Sequence, residues 1–176
     1  MICSGGDSNV EDPISNVDGC KRDIDKFIEL GINTLRVYTI DNLGDHDECM
    51  ELLSEAGIYV ALDVNNPAYS INRETPAPSY NDVYLRNVFA TVEAFEKYDN
   101  TLLFFAANEV LDKSERTGAA PYVKAVIRDI KRYQRERDLR RIPVGYSAAD
   151  VDDHRLQTAQ YMNCGDDNVR ADFFAL

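Results

Sequence analysis

Apolar and polar positions follow a repeating order along the chain: an amphipathic helical stretch, a glycine, and a short apolar run that ends in polar residues. The first unit predicts a helix from Asp18, its N-cap, to about Leu30, with Gly31 just past its end. Residues 32–38 then have the composition of a strand. Upstream, residues 1–17 are polar and glycine-rich and predict a loop without an opening strand.

A second unit repeats this order. Its helix begins at Asp45 and is ended by Gly57, and residues 58–63 form the next predicted strand. A polar loop over residues 64–78 leaves that strand, and long loops in compact domains usually carry function. Because the strands follow helices and end in polar residues, the pattern indicates a parallel α/β array.

The third helix begins at a predicted capping box formed by Ser79 and Asp82. The strand over residues 101–107 follows it, and its consecutive apolar residues predict burial on both faces of a parallel sheet. Asn108 and Glu109 come directly where this strand ends. The helix side chains predicted to face the core are Val83, Tyr84, Val88, Val92 and Phe95.

The remaining residues predict two further strands. Pro121 fits the first turn of a helix that precedes a strand over residues 142–146. A polar loop over residues 147–155 leads into a helix near residues 156–162, and a last strand begins within residues 171–176.

Five strands and five helices in alternation predict an α/β fold. A closed (β/α)₈ barrel needs about 250 residues, so these 176 residues predict a partial TIM barrel, about strands two to six with their helices, in a single domain over residues 1–176. An open, doubly wound sheet fits the alternation too. However, no Gly-x-Gly-x-x-Gly or Walker sequence follows a strand, which argues against the commonest nucleotide sites.

Composition narrows the classes of partner. A net charge of −12 argues against a nucleic-acid partner and against adhesion to an anionic membrane, and no apolar run is long enough to cross a bilayer. A neutral sugar is compatible with this charge. The cysteines at 3, 20, 49 and 164 show neither CxxC nor zinc-finger spacing, so reduced thiols and disulfides both stay open.

The main candidate for chemistry is the Asn108-Glu109 pair. In α/β barrels the carboxyl ends of the strands carry the active site. Apolar neighbours disfavour the ionised form of a carboxyl group, as a general acid requires. The alternative is that Glu109 pairs with a cation or caps the next helix.

Other polar positions have two interpretations each. Tyr38 and Asp63 also lie at the ends of predicted strands, where they either contact a ligand or play a structural role. The acidic stretch of residues 45–49 includes His46 and could bind a metal, but a solvated first helical turn explains it better. With two histidines in the whole chain, no His-rich metal site is expected.

Five motifs together resemble the fungal β-1,3-glucanosyltransferases of glycoside hydrolase family 72. They occur in the family's order and at close to its spacing over nearly the whole chain. The motifs are Leu30–Tyr38, Tyr69–Arg73, Asn108-Glu109, Pro143–Ser147 and Met162–Gly165.

The resemblance implies an enzyme that cleaves an internal linkage of cell-wall β-1,3-glucan and transfers the new end to another chain. Such enzymes use a (β/α)₈ barrel and a retaining mechanism with two glutamates, and no cofactor or metal is expected. Glu109 matches the acid/base, and Asn108 matches the residue that contacts the sugar 2-hydroxyl. The predicted substrate-binding residues are Tyr38, Asp63, Asn65, Ser70, Ile71, Asn72, Arg73, Asn108, Asp150 and Arg155.

The resemblance also bears on the cysteines and the location of the protein. It implies a disulfide between Cys20 and Cys49, and a partner for Cys164 beyond Leu176. Family members are secreted glycoproteins held at the cell surface by a glycolipid anchor, although this chain carries neither signal nor anchor segment and no N-glycosylation sequon.

The nucleophile of the family lies on the seventh strand, beyond Leu176. We therefore expect that this polypeptide alone does not catalyse transfer and, with open sheet edges, aggregates or stays molten. Two alternatives stay open: a non-catalytic glucan-binding fragment, or another retaining barrel glycosidase acting on β-1,4-linked glycans.

Overall fold

The computed structural model describes residues 12–152 and 154–176. Most of the predicted N-terminal loop, with Cys3, lies outside the described residues. The strands form one parallel sheet in the order β1-β2-β3-β4-β5, curled into half a barrel. Their bounds are β1 (Thr34–Val37), β2 (Tyr59–Asp63), β3 (Thr101–Asn108), β4 (Val144–Ser147) and β5 (Phe174–Ala175).

Helices cover the outer face of the sheet and alternate with the strands, which confirms the predicted α/β fold. Two short helices, one over residues 76–79 and one over residues 114–119, lie where no separate helix was predicted from the sequence. The helices are α1 (Val17–Glu29), α2 (Asp47–Glu55), α3 (Pro76–Ser79), α4 (Asp82–Phe95), a 3₁₀ helix (Ser114–Ala119), α5 (Ala120–Glu136) and α6 (Arg155–Asn163). None of these described helices is long and apolar enough to cross a membrane.

The start of α1 differs from the prediction. Asn16, not Asp18, is the N-cap, because its side chain accepts a hydrogen bond from the Gly19 N–H at 3.0 Å. Asp18 instead lies in the first turn, where a negative charge interacts favourably with the helix dipole. The end of the helix is as predicted: Gly31 has a φ of 69°, a left-handed conformation that suits glycine.

The predicted capping box of α4 is wrong. Asn81 is the N-cap, and its side chain accepts from the Tyr84 N–H at 2.9 Å. The Ser79 hydroxyl accepts from the Asn72 N–H at 2.9 Å and so stabilises the preceding loop instead. Val83 was predicted to face the core but is 51% exposed, because it lies outside the buried stripe of the helix, which passes through Tyr84, Val88 and Phe95.

The two faces of the sheet differ in chemistry, since alternate residues of a strand point to opposite sides. Leu35 and Val37 pack outward into the core under the helices, whereas Arg36 between them lies on the inner face. At the start of β3, Leu102 is 38% exposed, so the strand is not buried along its whole length. The largest fully buried side chains are Tyr146, Phe95, Phe104, Ile14, Met50, Leu53, Ile58, Leu62, Ile127, Ile130, Ile142 and Met162.

Glycine is required at one position of the inner face. A Cβ atom at Gly145 would lie 2.5 Å from the backbone oxygen of Phe173 and 2.7 Å from its ring. The Phe173 ring packs edge-on against Phe105, with the centroids 5.2 Å apart. Gly145 therefore permits the close approach that lets these aromatic rings fill the inside of the curl.

A disulfide joins α1 to α2. Cys20 and Cys49 are bonded, which confirms the pairing implied by the family resemblance, and both are buried. The bridge closes a sequence separation of 29 residues, so it restricts the unfolded chain substantially. Disulfides of this kind are typical of proteins that pass through an oxidising compartment.

Candidate active site

A cavity of about 630 Å³ opens at the carboxyl ends of β1, β2 and β3. Parallel strands end on the same edge of a sheet, so polar residues that follow different strands meet there. Eight of the ten predicted substrate-binding residues line this cavity: Tyr38, Asp63, Asn65, Ser70, Ile71, Asn72, Arg73 and Asn108.

Arg36 organises the floor of the cavity. Its Nε donates to Asp63 Oδ2 at 2.9 Å, and its Nη2 donates to Asp63 Oδ1 at 3.0 Å. The same guanidinium donates to Asn108 Oδ1 and to Ser147 Oγ, each at 2.9 Å. One side chain from β1 thus connects the ends of β2, β3 and β4 and fixes the amide of Asn108.

The Asp63 carboxylate lies at the buried end of this network, with only 3% of the side chain exposed. Burial raises the pKa of Asp63 to about 6, because desolvation disfavours the charged form, and the nearby Arg36 guanidinium opposes that rise. At neutral pH the ion pair forms, and in mildly acidic solution Asp63 becomes protonated.

The Arg36 guanidinium also packs against two aromatic rings. It lies 4.3 Å from the ring centroid of Tyr38 and 4.0 Å from that of Phe105. These cation–π contacts hold Tyr38 at the rim, where it is 38% exposed and lines the cavity. The Tyr38 ring is thereby oriented before any ligand arrives.

Glu109 follows β3 in a left-handed backbone conformation, with a φ of 50°. Its N–H donates to the Ser147 carbonyl at 2.9 Å, which fixes the turn against β4. Its side chain is exposed and does not itself line the cavity, whereas its neighbours Asn108 and Val110 do. A non-glycine residue with positive φ is uncommon, and such residues occur often at functional sites.

The Tyr146 hydroxyl interacts with the charge of Glu109 and with the backbone that follows it. Burial raises the pKa of the Tyr146 hydroxyl to about 12, and the negative charge of Glu109 adds to that rise. The hydroxyl accepts a hydrogen bond from the Leu111 N–H at 2.9 Å. The segment that carries Glu109 is therefore held at two points: the Glu109 N–H binds Ser147, and the Leu111 N–H binds Tyr146.

The loop between β2 and α4 forms one wall of the cavity. Asn65 donates to the Ala106 carbonyl at 2.7 Å and accepts from the Tyr84 hydroxyl at 2.7 Å, so its amide is fixed in orientation. Ile71 is 4% exposed and anchors the loop in the core. The Asn72 side chain accepts from two following backbone N–H groups, which gives the loop internal order.

Asp150 and Arg155 are not brought to this cavity. They lie on the segment after β4 and form an ion pair with each other, and Arg155 also contacts Asp152 at 2.7 Å. The Asp150 side chain is 71% exposed, so the structure shows a surface pair at these positions.

The acidic stretch of residues 45–49 makes structural contacts. His46 Nε2 lies 2.7 Å from Asp12 Oδ2, with both side chains buried, and Asp47 pairs with Lys97. Cys49 is in the disulfide. Within the described part of the chain no three metal-binding side chains form a cluster.

Sequence reasoning missed Arg36 as a member of the site. The available signal was a charged residue between Leu35 and Val37 in an otherwise apolar strand, which places it on the opposite face. It also missed Asp112 and Arg116. Their i, i+4 spacing was an available signal for a pair with each other, but their contacts with Arg73 and Glu74 depend on another loop.

The chain is similar in sequence to known proteins of one family. Residues 3–176 match the Glucanosyltransferase family, glycoside hydrolase family 72. The chain is 63% identical over 171 residues to 1,3-beta-glucanosyltransferase gel1 of Aspergillus fumigatus, covering 97% of this chain and 38% of gel1. It is 53% identical to 1,3-beta-glucanosyltransferase GAS5 of Saccharomyces cerevisiae, covering 98% of this chain and 36% of that protein.

A solved structure supports the same relationship. Saccharomyces cerevisiae Gas2p in complex with laminaripentaose superposes with a TM-score of 0.89 at 44% identity, covering 93% of this chain and 37% of Gas2p. The chain thus spans less than two fifths of the length of the relatives it matches. The family match over residues 3–176 and the 63% identity to gel1 show that the chain belongs to the glucanosyltransferases of glycoside hydrolase family 72.

Proposed function

We propose that this chain supplies the acid/base half of an active site that cleaves β-1,3-glucan and transfers the cleaved chain to another, as in cell-wall remodelling. The observation that carries the proposal is the position of Asn108-Glu109. The pair ends the central strand of the sheet beside an open cavity of about 630 Å³, within a chain of the glucanosyltransferase family.

Glu109 is the proposed acid/base. In a retaining mechanism this group first protonates the leaving sugar oxygen and later deprotonates the incoming acceptor hydroxyl. Its side chain is exposed between Asn108 and Val110, which both line the cavity, and the hydrogen bonds of Ser147 and Tyr146 to the adjoining backbone keep this segment in place. We assign the nucleophile to no residue of this chain.

Asn108 is the proposed partner of the sugar 2-hydroxyl. Its Oδ1 accepts from Arg36 at 2.9 Å, which leaves the two Nδ2 hydrogens as donors for a sugar oxygen. A bond to the 2-hydroxyl strengthens as the sugar ring becomes oxocarbenium-like, so it contributes to the rate. Asp63, with both oxygens on Arg36, supports this amide indirectly.

The remaining cavity residues are proposed to bind the glucan chain. Tyr38 offers a partly exposed aromatic side chain, and the loop from Ser70 to Arg73 offers polar groups on a fixed wall. Asp150 and Arg155 are proposed to bind sugar units only where the glucan continues past β4.

The proposal includes an extracellular, cell-surface location. The Cys20–Cys49 disulfide supports an oxidising environment. We further propose that a glycolipid anchor holds the protein at the cell surface, and this part of the proposal rests on the family resemblance alone.

The test uses the complete protein that carries this chain, incubated with laminari-oligosaccharides. We expect elongated products from the parent, and a loss of at least about 100-fold in rate for Glu109→Gln, which keeps the shape but cannot carry the proton. The matched control is Glu115→Gln on the exposed 3₁₀ helix, with an expected rate within about twofold of the parent.

Three results would contradict the proposal. One is transfer by Glu109→Gln at the rate of the parent. Another is the absence of any elongated product from the parent protein. The third is turnover of β-1,4-linked oligosaccharides in place of β-1,3-linked ones, which would favour another barrel glycosidase.

A further inference from the structure

Four side chains of alternating charge join the two loops that form the outer wall of the cavity. Arg73 Nη1 donates to Asp112 Oδ2 at 2.6 Å, and Arg116 Nη1 donates to both Asp112 oxygens at 2.7 and 2.6 Å. Arg116 Nη2 in turn donates to Glu74. Arg73 and Glu74 belong to the β2–α4 loop, whereas Asp112 and Arg116 belong to the segment after β3.

Asp112 is the centre of this network. Its carboxylate accepts from guanidinium groups of two different segments, and its side chain is only 21% exposed. The hydrogen bond from Arg116 holds the pKa of Asp112 below its ordinary value, with Arg73 adding to the effect. Shared, partly buried pairs of this kind contribute more than isolated surface pairs, because one ordered side chain serves several bonds.

Three of the four side chains in this network line the cavity, and Asp112 does not. Arg73, Glu74 and Arg116 line the cavity, and Asp112 is behind them. Without its charge, the two arginines would lose their common acceptor and the β2–α4 loop would lose a direct tie to the segment after β3.

The buried residue Leu111 separates the proposed acid/base, Glu109, from this network. Leu111, between Glu109 and Asp112, is 2% exposed, and its N–H is held by the Tyr146 hydroxyl at 2.9 Å. A change at Asp112 should therefore move the wall and leave the backbone of Glu109 in place.

We propose that Asp112 is a positioning residue that fixes the cavity wall over residues 70–74 and so sets the affinity for the sugar chain. This inference rests on the proposed glucan site. It separates binding of the chain, which depends on Asp112, from proton transfer, which depends on Glu109.

The test compares Asp112→Asn with the parent in the complete protein. We expect KM for laminari-oligosaccharides to rise about tenfold, the effect of losing a charge-assisted contact, while kcat changes by less than about threefold. Asp112→Glu, which keeps the charge, should restore KM to within about threefold of the parent. The matched control is Asp82→Asn, which removes the charge of an exposed pair with Arg86 on α4 and should leave both constants unchanged.

A second measurement needs no sugar. Trypsin cleaves after Arg73, whose guanidinium is held by Asp112 in the parent. We expect cleavage at this bond to be about tenfold faster in Asp112→Asn, because local opening of the loop becomes easier, and unchanged in Asp82→Asn.

Equal tryptic cleavage of Asp112→Asn and the parent would overturn the inference, as would a fall in kcat with KM unchanged. If the parent binds no laminari-oligosaccharide, the proposed function fails, and faster cleavage after Arg73 would still support the role of Asp112 in holding the wall.

Discussion

At the scale of single residues, Arg36 decides the geometry of the site. It binds the Asp63 carboxylate with two nitrogens and fixes Asn108 beside Glu109. Its partners lie up to 111 positions away in the sequence. A bidentate guanidinium has the planar donor geometry that this arrangement requires, so lysine at this position would not replace it.

The pH dependence of stability should depend on Asp63. Its pKa in the fold, about 6, exceeds the ordinary value, so the folded protein binds this proton more tightly than the unfolded chain does. The stability contributed by protonated Asp63 is therefore present in full below about pH 4 and is lost as the pH rises through 6.

Asp63→Asn removes this dependence. As the pH rises from 4 to 7, the parent should lose up to about 3 kcal/mol of free energy of unfolding that the variant does not lose, so the difference between the two proteins shifts by that amount in favour of the variant. Denaturant unfolding of both proteins across that range measures the difference. Asp82→Asn, with an exposed carboxylate, is the control, and parallel pH profiles for Asp63→Asn and the parent would contradict the prediction.

At the scale of helices and loops, caps decide where the cavity wall begins and ends. Asn81 starts α4 directly after the β2–α4 loop, and Ser79 binds back to Asn72 within that loop. The cap therefore determines both the first turn of the helix and the end of the wall.

Replacing the cap should weaken α4. For Asn81→Ala we expect the free energy of unfolding to fall by about 1 kcal/mol, because the Tyr84 N–H loses its side-chain acceptor. Denaturant unfolding measures this effect, and Asp82→Asn is the neighbouring control with an expected loss below about 0.5 kcal/mol. An unchanged midpoint for Asn81→Ala would show that the cap does not stabilise the helix.

At the scale of the whole molecule, the parallel sheet brings residues from distant parts of the chain to one edge. The disulfide then ties the first two helices together on the outer face. A bridge across 29 residues acts mainly by limiting the unfolded chain.

Removing that bridge should lower global stability. For the pair Cys20→Ala and Cys49→Ala we expect a loss of about 3–4 kcal/mol in free energy of unfolding, from the length of the closed loop. Glu115→Gln, at an exposed residue of the 3₁₀ helix outside the bridge, is the control and should leave the midpoint unchanged. Equal midpoints for the double variant and the parent would contradict the expectation.

Much of the fold could be predicted because its determinants are local. The spacing of apolar residues, together with Gly31 and Gly57, predicts the order of helices and strands. Errors occurred at helix starts, where Asp18 and the Ser79–Asp82 pair were preferred over Asn16 and Asn81. Several residues near each start have side chains that can serve as the N-cap, and only the path of the preceding loop selects one.

The sequence by itself determined that a helix–strand array ends its central strand in Asn108-Glu109, since burial and strand periodicity depend on neighbours along the chain. Only the tertiary structure decided that Arg36 joins three other strand ends and that Asp112 joins two loops. Those contacts depend on the register between parallel strands and on the curl of the sheet, which bring together charges that have no regular spacing in the sequence.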